Sequence, residues 1–323
     1  MRAIGRILVA VKDPGARTLP AVAKAVQLAR ALSAELELFH AIDSPYYIDM
    51  LGMTADRTQG MECDERGEYL QRLERIAARA RLHARKVTVA VEWDYPVYEA
   101  IVRRAVKIGA DLVVAECHAG RRTAPGLLRL ADWELLRLSP VPVLLVKRTR
   151  PYHHPTLVMA LDPSHAFAKP AKLDAEIVQV GSAVSAGLRG KLHAVHAFAT
   201  VTAGMAGPAA ATGSRVYEAA AASARADLDR ALRSTDIAPA CRHLVAGDPT
   251  TSVRDTARRL GADIVVAGAV SRSGLKRAFI GNTAERLLDC LSCDLLIVKP
   301  EGFSNSVPRS ARGARLVAVE PLG

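Results

Sequence analysis

Aromatic residues and long apolar runs are both scarce in this sequence. Phenylalanine, tryptophan and tyrosine make up 4% of the 323 residues, so any core must consist mainly of valine, leucine, isoleucine and alanine. No apolar run reaches the roughly 20 residues that a membrane-spanning helix requires, and we expect no membrane span. Because half of the residues are hydrophobic and 24% are charged, the composition indicates a globular chain of about two domains.

Cysteine is too sparse and too irregularly spaced for a disulfide framework. Cys290 and Cys293 have redox spacing, but they lie at the end of a predicted helix. A reactive CxxC belongs at a helix N-terminus, where the dipole lowers the thiol pKa, so we interpret this pair as structural. Cys117 and His118 lack the further ligands that a metal site needs.

No cleavable leader is apparent at the N-terminus. Residues 1–15, MRAIGRILVAVKDPG, hold a short apolar run without a small-residue cleavage site behind it. We therefore interpret the run as a first strand and expect a cytoplasmic protein. The net charge of +11 favours anionic ligands. Because the basic residues are spread over helix faces without stacking aromatics, we do not expect a nucleic-acid partner.

The sequence repeats once at a period of roughly 150 residues. Residues 109–115 read GADLVVA and residues 261–267 read GADIVVA. Each half begins with a strand that ends in Asp-Pro, at Asp13 and at Asp162. His40 and His196 occupy the same place in the predicted second strands, and an irregular stretch (42–62 or 198–212) and a long amphipathic helix follow.

Short apolar strands alternate with helices in each half, as β-α-β-α-β-α-β-α-β. This pattern indicates an α/β fold with a parallel sheet covered on both faces. We predict two tandem, doubly wound, five-stranded sheets of order 3-2-1-4-5, in domains 1–150 and 151–300. The ligand crevice of such a sheet lies at the carboxyl ends of its first and fourth strands. Asp162 should therefore lie opposite Gly268.

The segment from Gly261 to Lys299 has the order strand, glycine loop, helix N-terminus, strand. Gly268 ends the predicted strand, and Gly281 precedes a helix that opens with Asn282 and Thr283. Asn282 and Glu285 have the spacing of a capping box. Because a helix N-terminus presents free N–H groups and a positive dipole end, the geometry suits an anion such as phosphate. An ordinary strand–turn–helix corner without a ligand is the alternative.

Residues 1–300 together resemble a tandem universal stress protein. The resemblance depends on Gly-Asn-Thr-Ala-Glu at 281–285, Cys-Asp-Leu-Leu at 293–296, Val-Lys-Pro at 298–300 and Asp132-Trp133 in the first half. It implies an adenine nucleotide alpha hydrolase-like fold, two halves related by a pseudo-twofold axis that pair with each other, and further pairing as a homodimer. Some members of the family bind ATP, and others do not.

The resemblance also assigns candidate ligand contacts in the second half. Asp162 would meet the base side of an ATP molecule. Its carboxylate is also a candidate ligand for a Mg²⁺ ion. A turn-forming role is the alternative for Asp162. The other candidate contacts, to phosphate and ribose, are Gly268, Ser271, Arg272, Gly281, Asn282 and Thr283. Ser271 and Asn282 depart from the family motif, which has glycine and a hydroxyl residue there.

The first half departs further from the nucleotide motif. Glu116 stands where the second half has Gly268, and Arg129 and Leu130 stand where it has Gly281 and Asn282. A carboxylate at Glu116 would repel a phosphate and fill the space that glycine leaves. We therefore predict that only the second half binds a nucleotide.

Three functions follow from these observations. The first is a stress-response regulator that binds an adenine nucleotide, or another anionic metabolite, in its second half. The second is a carrier or sensor of an apolar or lipid-like ligand, because adaptable methionines and tyrosines follow the second strand. These residues are Tyr46, Tyr47, Met50, Met53 and Met61. The third is an interaction module without a nucleotide. A slow ATPase would need a general base or metal constellation, which the sequence does not display.

The final segment, 301–323, falls outside the repeat. We expect it to be mobile. The alternative is that its apolar run from Leu316 to Val319 adds to an edge strand.

Overall fold

Two compact units make up the chain. The first unit combines Ala3–Pro151 with Ser304–Gly323, and the second unit holds Tyr152–Phe303 together with the first two residues. The computed structural model describes residues 4–49, 55–117, 126–164, 172–198, 208–269, 282–304, 306–313 and 315–319.

The first unit is a doubly wound α/β sheet. Its elements are β1 (Arg6–Ala10), α1 (Pro20–Leu32), β2 (Glu35–Ile42), β3 (Pro45–Asp49), α2 (Ala55–Ala80), β4 (Val87–Trp93), α3 (Val97–Ile108), β5 (Leu112–Glu116), α4 (Gly126–Leu138) and β6 (Val143–Val146). Its main sheet has the order β4-β2-β1-β5-β6, and all four pairings are parallel. Without β3, which lies outside this sheet, the order is 3-2-1-4-5, which confirms the prediction.

Burial explains why these short apolar runs become central strands. Leu8 in β1, Leu38 in β2 and Val114 in β5 are fully buried, as expected for strands covered on both faces. Helix α1 buries Ala25 and Leu28, which are three residues apart and therefore share one face. The predicted core of aliphatic side chains and alanine is thus present in the first unit.

The second unit repeats this architecture. Its elements are β7 (Thr156–Leu161), α5 (Leu173–Gly187), β8 (Lys191–Phe198), α6 (Pro208–Ala231), β9 (Arg242–Ala246), α7 (Pro249–Arg259), β10 (Ile264–Gly268), α8 (Asn282–Cys290) and β11 (Asp294–Val298). The strands follow the order β9-β8-β7-β10-β11, again parallel throughout and again 3-2-1-4-5.

The repeated Gly-Ala-Asp has the same structural role in both units. Gly109 and Gly261 have φ values of +63° and +61°, and each lies three residues before the start of its strand, β5 or β10. A side chain is disfavoured in this left-handed conformation, whereas glycine adopts it readily. The sequence repeat therefore preserves the turn that leads from a helix into the fourth strand of each sheet.

The C-terminal segment belongs to the first unit. Strand β12 (Arg315–Val319) pairs in parallel with β3, with Arg315 opposite Pro45. The irregular structure predicted for 42–62 is therefore wrong for β3 and for the start of α2. Helix α6 similarly begins at Pro208, inside the other stretch predicted to be irregular. Strand β3 depends on a partner at the far end of the chain, and local periodicity carries no signal for such a pairing.

Candidate functional sites at the two crevices

The second-unit crevice contains two of the predicted ligand contacts side by side. Strands β7 and β10 are neighbours, with Met159 opposite Val266. Asp162 follows β7 directly, and Gly268 is the last residue of β10. Their carboxyl ends therefore meet at one edge of the sheet, as the topology predicts.

The remaining predicted contacts are described only in part. Asn282 is the first residue of α8, Thr283 is exposed in its first turn, and Glu285 follows in the same turn. Ser271, Arg272 and Gly281 lie outside the described residues, as does the side chain of Asn282. The contribution of these residues to a phosphate site stays a prediction.

Asp162 participates in a local turn. Its backbone N–H donates to the carboxylate of Asp174, at 3.2 and 3.3 Å, and its own Oδ1 accepts from the hydroxyl of Ser164 at 3.2 Å. These bonds match the turn-forming alternative considered for Asp162. The carboxylate of Asp174 is itself buried, in the first turn of α5. Negative charge is thus already present where β7 ends.

Gly268 is required by packing. A β-carbon at this position would lie 2.5 Å from Cδ2 of Leu173 and 3.1 Å from Cδ1 of Ile177. Both of these α5 side chains are fully buried. The space that the glycine leaves beside β10 is therefore used by helix α5, whether or not a ligand binds.

His196 stands on β8, next to the end of β7. Its Nδ1 lies 3.2 Å from the carbonyl oxygen of Leu161, and the residue is fully buried. Its Nε2 is also buried and has no hydrogen-bond partner among the described residues. An unsatisfied buried acceptor of this kind costs about 1–3 kcal/mol. The sequence repeat singled out this histidine without indicating a role for it.

The first-unit crevice holds a cavity of about 640 Å³. The cavity lies at the carboxyl ends of β1, β2 and β5, the switch point of the sheet. Helices α3 and α4 contribute further walls, through Ile101 and Leu135 among others. Its volume falls within the range of about 300–1,000 Å³ that is typical of small-molecule pockets. Its lining is mainly apolar.

The carboxyl and ammonium groups that line this cavity are mostly acidic. They include Asp13, Asp43, Glu116 and Asp132, together with a single lysine, Lys12. Glu116 is the last residue of β5, where the second unit has Gly268. Asp132 is buried and accepts a hydrogen bond from the Cys117 thiol at 3.4 Å. The cavity is thus apolar with an acidic fringe.

His40 lines the same cavity and repeats the geometry of His196. Its Nδ1 lies 2.8 Å from the carbonyl oxygen of Val11, and its ring packs against Tyr69 with centroids 4.5 Å apart. Burial lowers the pKa of His40, although the Val11 carbonyl and the nearby carboxylates of Asp43 and Asp13 oppose that effect. The imidazole is therefore neutral at physiological pH.

The C-terminal segment forms hydrogen bonds and an ion pair with residues beside the first-unit cavity. The backbone N–H of Arg312 donates to Asp94 at 2.9 Å, and its guanidinium forms two bonds of 3.1 Å to Glu99. Glu99 lies in the first turn of α3, next to Tyr98, which lines the cavity. The strand β3, which pairs with β12, begins just after Ser44, another lining residue. The segment thus joins two walls of one cavity.

A second depression in the first unit concentrates basic charge. It encloses about 850 Å³ between α1 and α2 and is lined by Arg17, Arg30, Arg72, Arg75, Arg79 and His83. No carboxylate belongs to its lining in the described part of the chain. The sequence predicts a dispersed basic surface on α2, whereas the fold brings three arginines of α2 near Arg30 of α1 and Arg17 ahead of it.

The described residues offer little for metal or redox chemistry. Within the described ranges, no three histidine, cysteine, aspartate or glutamate side chains are grouped so that they could hold a metal ion. All five cysteines fall in these ranges, and none of them forms a disulfide. The described helices also include none that is long and apolar enough to span a membrane.

Comparison with known proteins agrees with the duplicated architecture. The chain is 29% identical over 309 residues to Universal stress protein E of Escherichia coli strain K12, an alignment that covers 93% of this chain and 96% of the relative. Among solved structures, a functionally unknown protein from Pseudomonas aeruginosa PAO1 superposes with a TM-score of 0.70 at 23% identity, covering 93% of this chain and 94% of the other. A universal stress protein from Archaeoglobus fulgidus gives a TM-score of 0.57 at 15% identity, covering 90% and 96%.

The family assignment depends on both halves of the chain. The model of the Universal stress protein family matches twice, over residues 3–147 and over residues 174–299. These two matches correspond to the two sheets described above, each with its crevice at the ends of the first and fourth strands. The chain therefore belongs to the Universal stress protein family, as a tandem member.

Proposed function

We propose that this protein acts in the stress response as a ligand-binding regulator, and that the first-unit cavity holds a small, largely apolar ligand. Membership of the Universal stress protein family supports the stress-response role. The observation that carries the ligand proposal is the cavity of about 640 Å³ at the switch point of the first sheet. The carboxylates of Asp13 and Asp43 disfavour a phosphate there, whereas Phe39, Ile101 and Leu135 suit an apolar body.

A cavity-filling substitution tests this proposal. Ala131 lines the cavity from α4, so Ala131→Trp should occupy the space that an apolar ligand needs. We expect the wild-type chain to bind one molecule of the neutral dye Nile red, with a fluorescence increase that Ala131→Trp abolishes. Ala78→Trp, on an exposed position of α2, is the matched control. Equal dye binding by wild type and Ala131→Trp would refute the proposal.

An adenine nucleotide in the second unit is the second candidate. The placement of Asp162 and Gly268 on neighbouring strands, together with the start of α8 at Asn282, favours it. A helix N-terminus at this edge of a parallel sheet offers free N–H groups to phosphate. ATP would supply the anion, with Mg²⁺ as its companion ion. Because α5 packing accounts for Gly268, the candidate depends mainly on the α8 N-terminus.

Native mass spectrometry with ATP and Mg²⁺ tests this candidate. We expect a mass increment of one nucleotide per chain that Gly281→Val removes, because a valine there would obstruct an anion at the α8 N-terminus. Gly67→Val is the control, since a β-carbon at Gly67 in α2 has no atom within 4 Å. A chain that gains no mass from ATP would eliminate this candidate and leave the first-unit proposal intact.

A further inference from the structure

We infer that His40 anchors the ligand of the first-unit cavity as a hydrogen-bond acceptor, so that this ligand is an apolar molecule whose head group is uncharged or cationic and carries an O–H or N–H donor. The inference rests on the proposed function of the cavity, and it specifies the chemical class of the ligand.

The tautomer of His40 follows from its backbone contact. Its Nδ1 is 2.8 Å from the carbonyl oxygen of Val11. A carbonyl oxygen only accepts hydrogen bonds, so Nδ1 must carry the proton and donate it. In a neutral imidazole the other nitrogen, Nε2, then has a lone pair and only accepts.

The environment keeps this acceptor in place. Burial lowers the pKa of His40, while Asp43, Asp13 and Glu65 act against burial through their negative charge. Tyr69 packs on the ring and limits its rotation. The lone pair of Nε2 therefore persists at neutral pH, with its orientation fixed by Val11 on one side and by Tyr69 on the ring face.

Nε2 of His40 is available to a ligand. No hydrogen bond to it is made by any described residue, and His40 is 8% exposed and lines the cavity. The equivalent histidine of the second unit, His196, has the same bond from Nδ1, but its Nε2 is completely buried without a partner among the described residues. The same tautomer thus occurs in both units. In the first unit the histidine that carries it lines an open cavity.

The charges around the cavity restrict the head group. The lining includes four carboxylates, whereas Lys12 is its one described cation. An anionic head next to Asp13 or Asp43 would experience repulsion from a like charge. A hydroxyl or an amine avoids this cost, and either one can donate to Nε2. Carboxylate and phosphate head groups are therefore disfavoured relative to hydroxyl and amine head groups.

Three molecules that share a twelve-carbon chain and differ in their head groups test the inference on the whole polypeptide. We expect isothermal titration to show binding of dodecanol and dodecylamine, and binding of dodecanoate that is at least tenfold weaker. His40→Phe should weaken dodecanol about tenfold, as expected for the loss of one buried hydrogen bond. His40→Gln retains an acceptor and should stay within about threefold of wild type, and His153→Phe, at an exposed histidine, is the control.

The outcomes separate the two proposals. If dodecanoate binds as tightly as dodecanol, or if His40→Phe leaves dodecanol binding unchanged, the inference is wrong while the cavity keeps its proposed function. If none of the three molecules binds, both are wrong. Should His40→Phe fold poorly, the ¹⁵N resonance of His40 Nε2 in the wild-type chain decides. It should move upfield when dodecanol binds, and an unchanged resonance at saturation would overturn the inference.

Discussion

The α-carbon of Gly268 lies so close to Leu173 that a β-carbon there would be 2.5 Å from its Cδ2. Leu173 is fully buried between α5 and the sheet, so it cannot move aside cheaply. We predict that Gly268→Ala lowers the free energy of unfolding by about 1–3 kcal/mol, measured by urea denaturation. The double variant with Leu173→Ala should be less destabilised than the sum of the two single variants.

Gly67→Ala provides the control for that experiment. A β-carbon at Gly67 meets no atom within 4 Å, and the residue lies inside α2. Alanine should therefore stabilise the helix by about 0.5–1 kcal/mol. Equal stabilities of Gly268→Ala and the wild type would mean that α5 can withdraw from β10, which would reopen the crevice to a ligand.

The imidazoles of His193 and His243 form the basis of a pH prediction. His193 Nδ1 and His243 Nε2 lie 2.9 Å apart on neighbouring strands, so one nitrogen donates and the other accepts. Burial, followed by the charge of His243, lowers the pKa of His193 from 6.5 to about 4. The pKa of His243 is also lowered by burial, and by the nearby Arg259 and Lys191.

The sign of this effect is determined by the unfolded chain. Between pH 6.5 and about 4 the unfolded state binds a proton that the folded state resists, so stability falls as the pH drops through this window. We predict that replacing both histidines by glutamine reduces the stability lost between pH 7 and pH 4.5 by about 1 kcal/mol, after allowance for the partial exposure of His243. His153→Gln, which replaces an exposed histidine in the same way, is the matched control.

Tyr152 and Asp294 form a buried bond in the second unit. The Tyr152 hydroxyl donates to Asp294 Oδ2 at 2.5 Å, and Asp294 is fully buried. We predict that Tyr152→Phe destabilises the fold by about 1.5–3 kcal/mol, the range for a hydrogen bond to a charged group. Burial and then the charge of Asp294 raise the pKa of Tyr152 well above 10.0, so absorbance near 295 nm should reveal one tyrosine that resists ionisation until the protein unfolds. A Phe variant as stable as the wild type would contradict this.

We predict that Arg312 slows amide hydrogen exchange in the C-terminal segment. It makes a bidentate ion pair with Glu99 at the start of α3. Because such a partly exposed pair is worth about 1 kcal/mol, Arg312→Ala should accelerate hydrogen exchange in 306–319 by about fivefold. Arg309→Ala, at an exposed arginine of the same segment, should not. Similar exchange in the two variants would show that β12 is held by its strand pairing alone.

The strand order and most helices could be predicted because their signals are local and duplicated. The matching Gly109 and Gly261 fixed the repeat, and apolar runs such as Ile264–Ala267 defined central strands. Strand β3 could not be predicted, since its partner β12 lies almost at the other end of the chain. Contacts of such long separation leave no periodic pattern in either segment.

The position of the second-unit crevice could be predicted, but the side chains that fill it could not. Topology correctly brought Asp162 beside Gly268, because neighbouring parallel strands end at one edge. The packing of Leu173 on Gly268 and the cavity at His40 depend on the exact distance between helices and sheet, which the sequence does not encode locally. Glu116 in place of glycine argues against a phosphate site from the sequence alone, but the sequence gives no signal for the cavity that Glu116 lines.

The pairing of β3 with β12 has a consequence for the order of synthesis. The ribosome completes the whole second unit before it makes the strand that pairs with β3 in the first unit, with Arg315 opposite Pro45. During translation, and in any prematurely terminated chain, β3 therefore presents an unpaired edge, which is the kind of surface on which other chains assemble. Closure of this edge occurs only after residues 315–319 have been synthesised. A chain that contains β12 therefore differs from one that lacks it by a paired rather than an exposed β3.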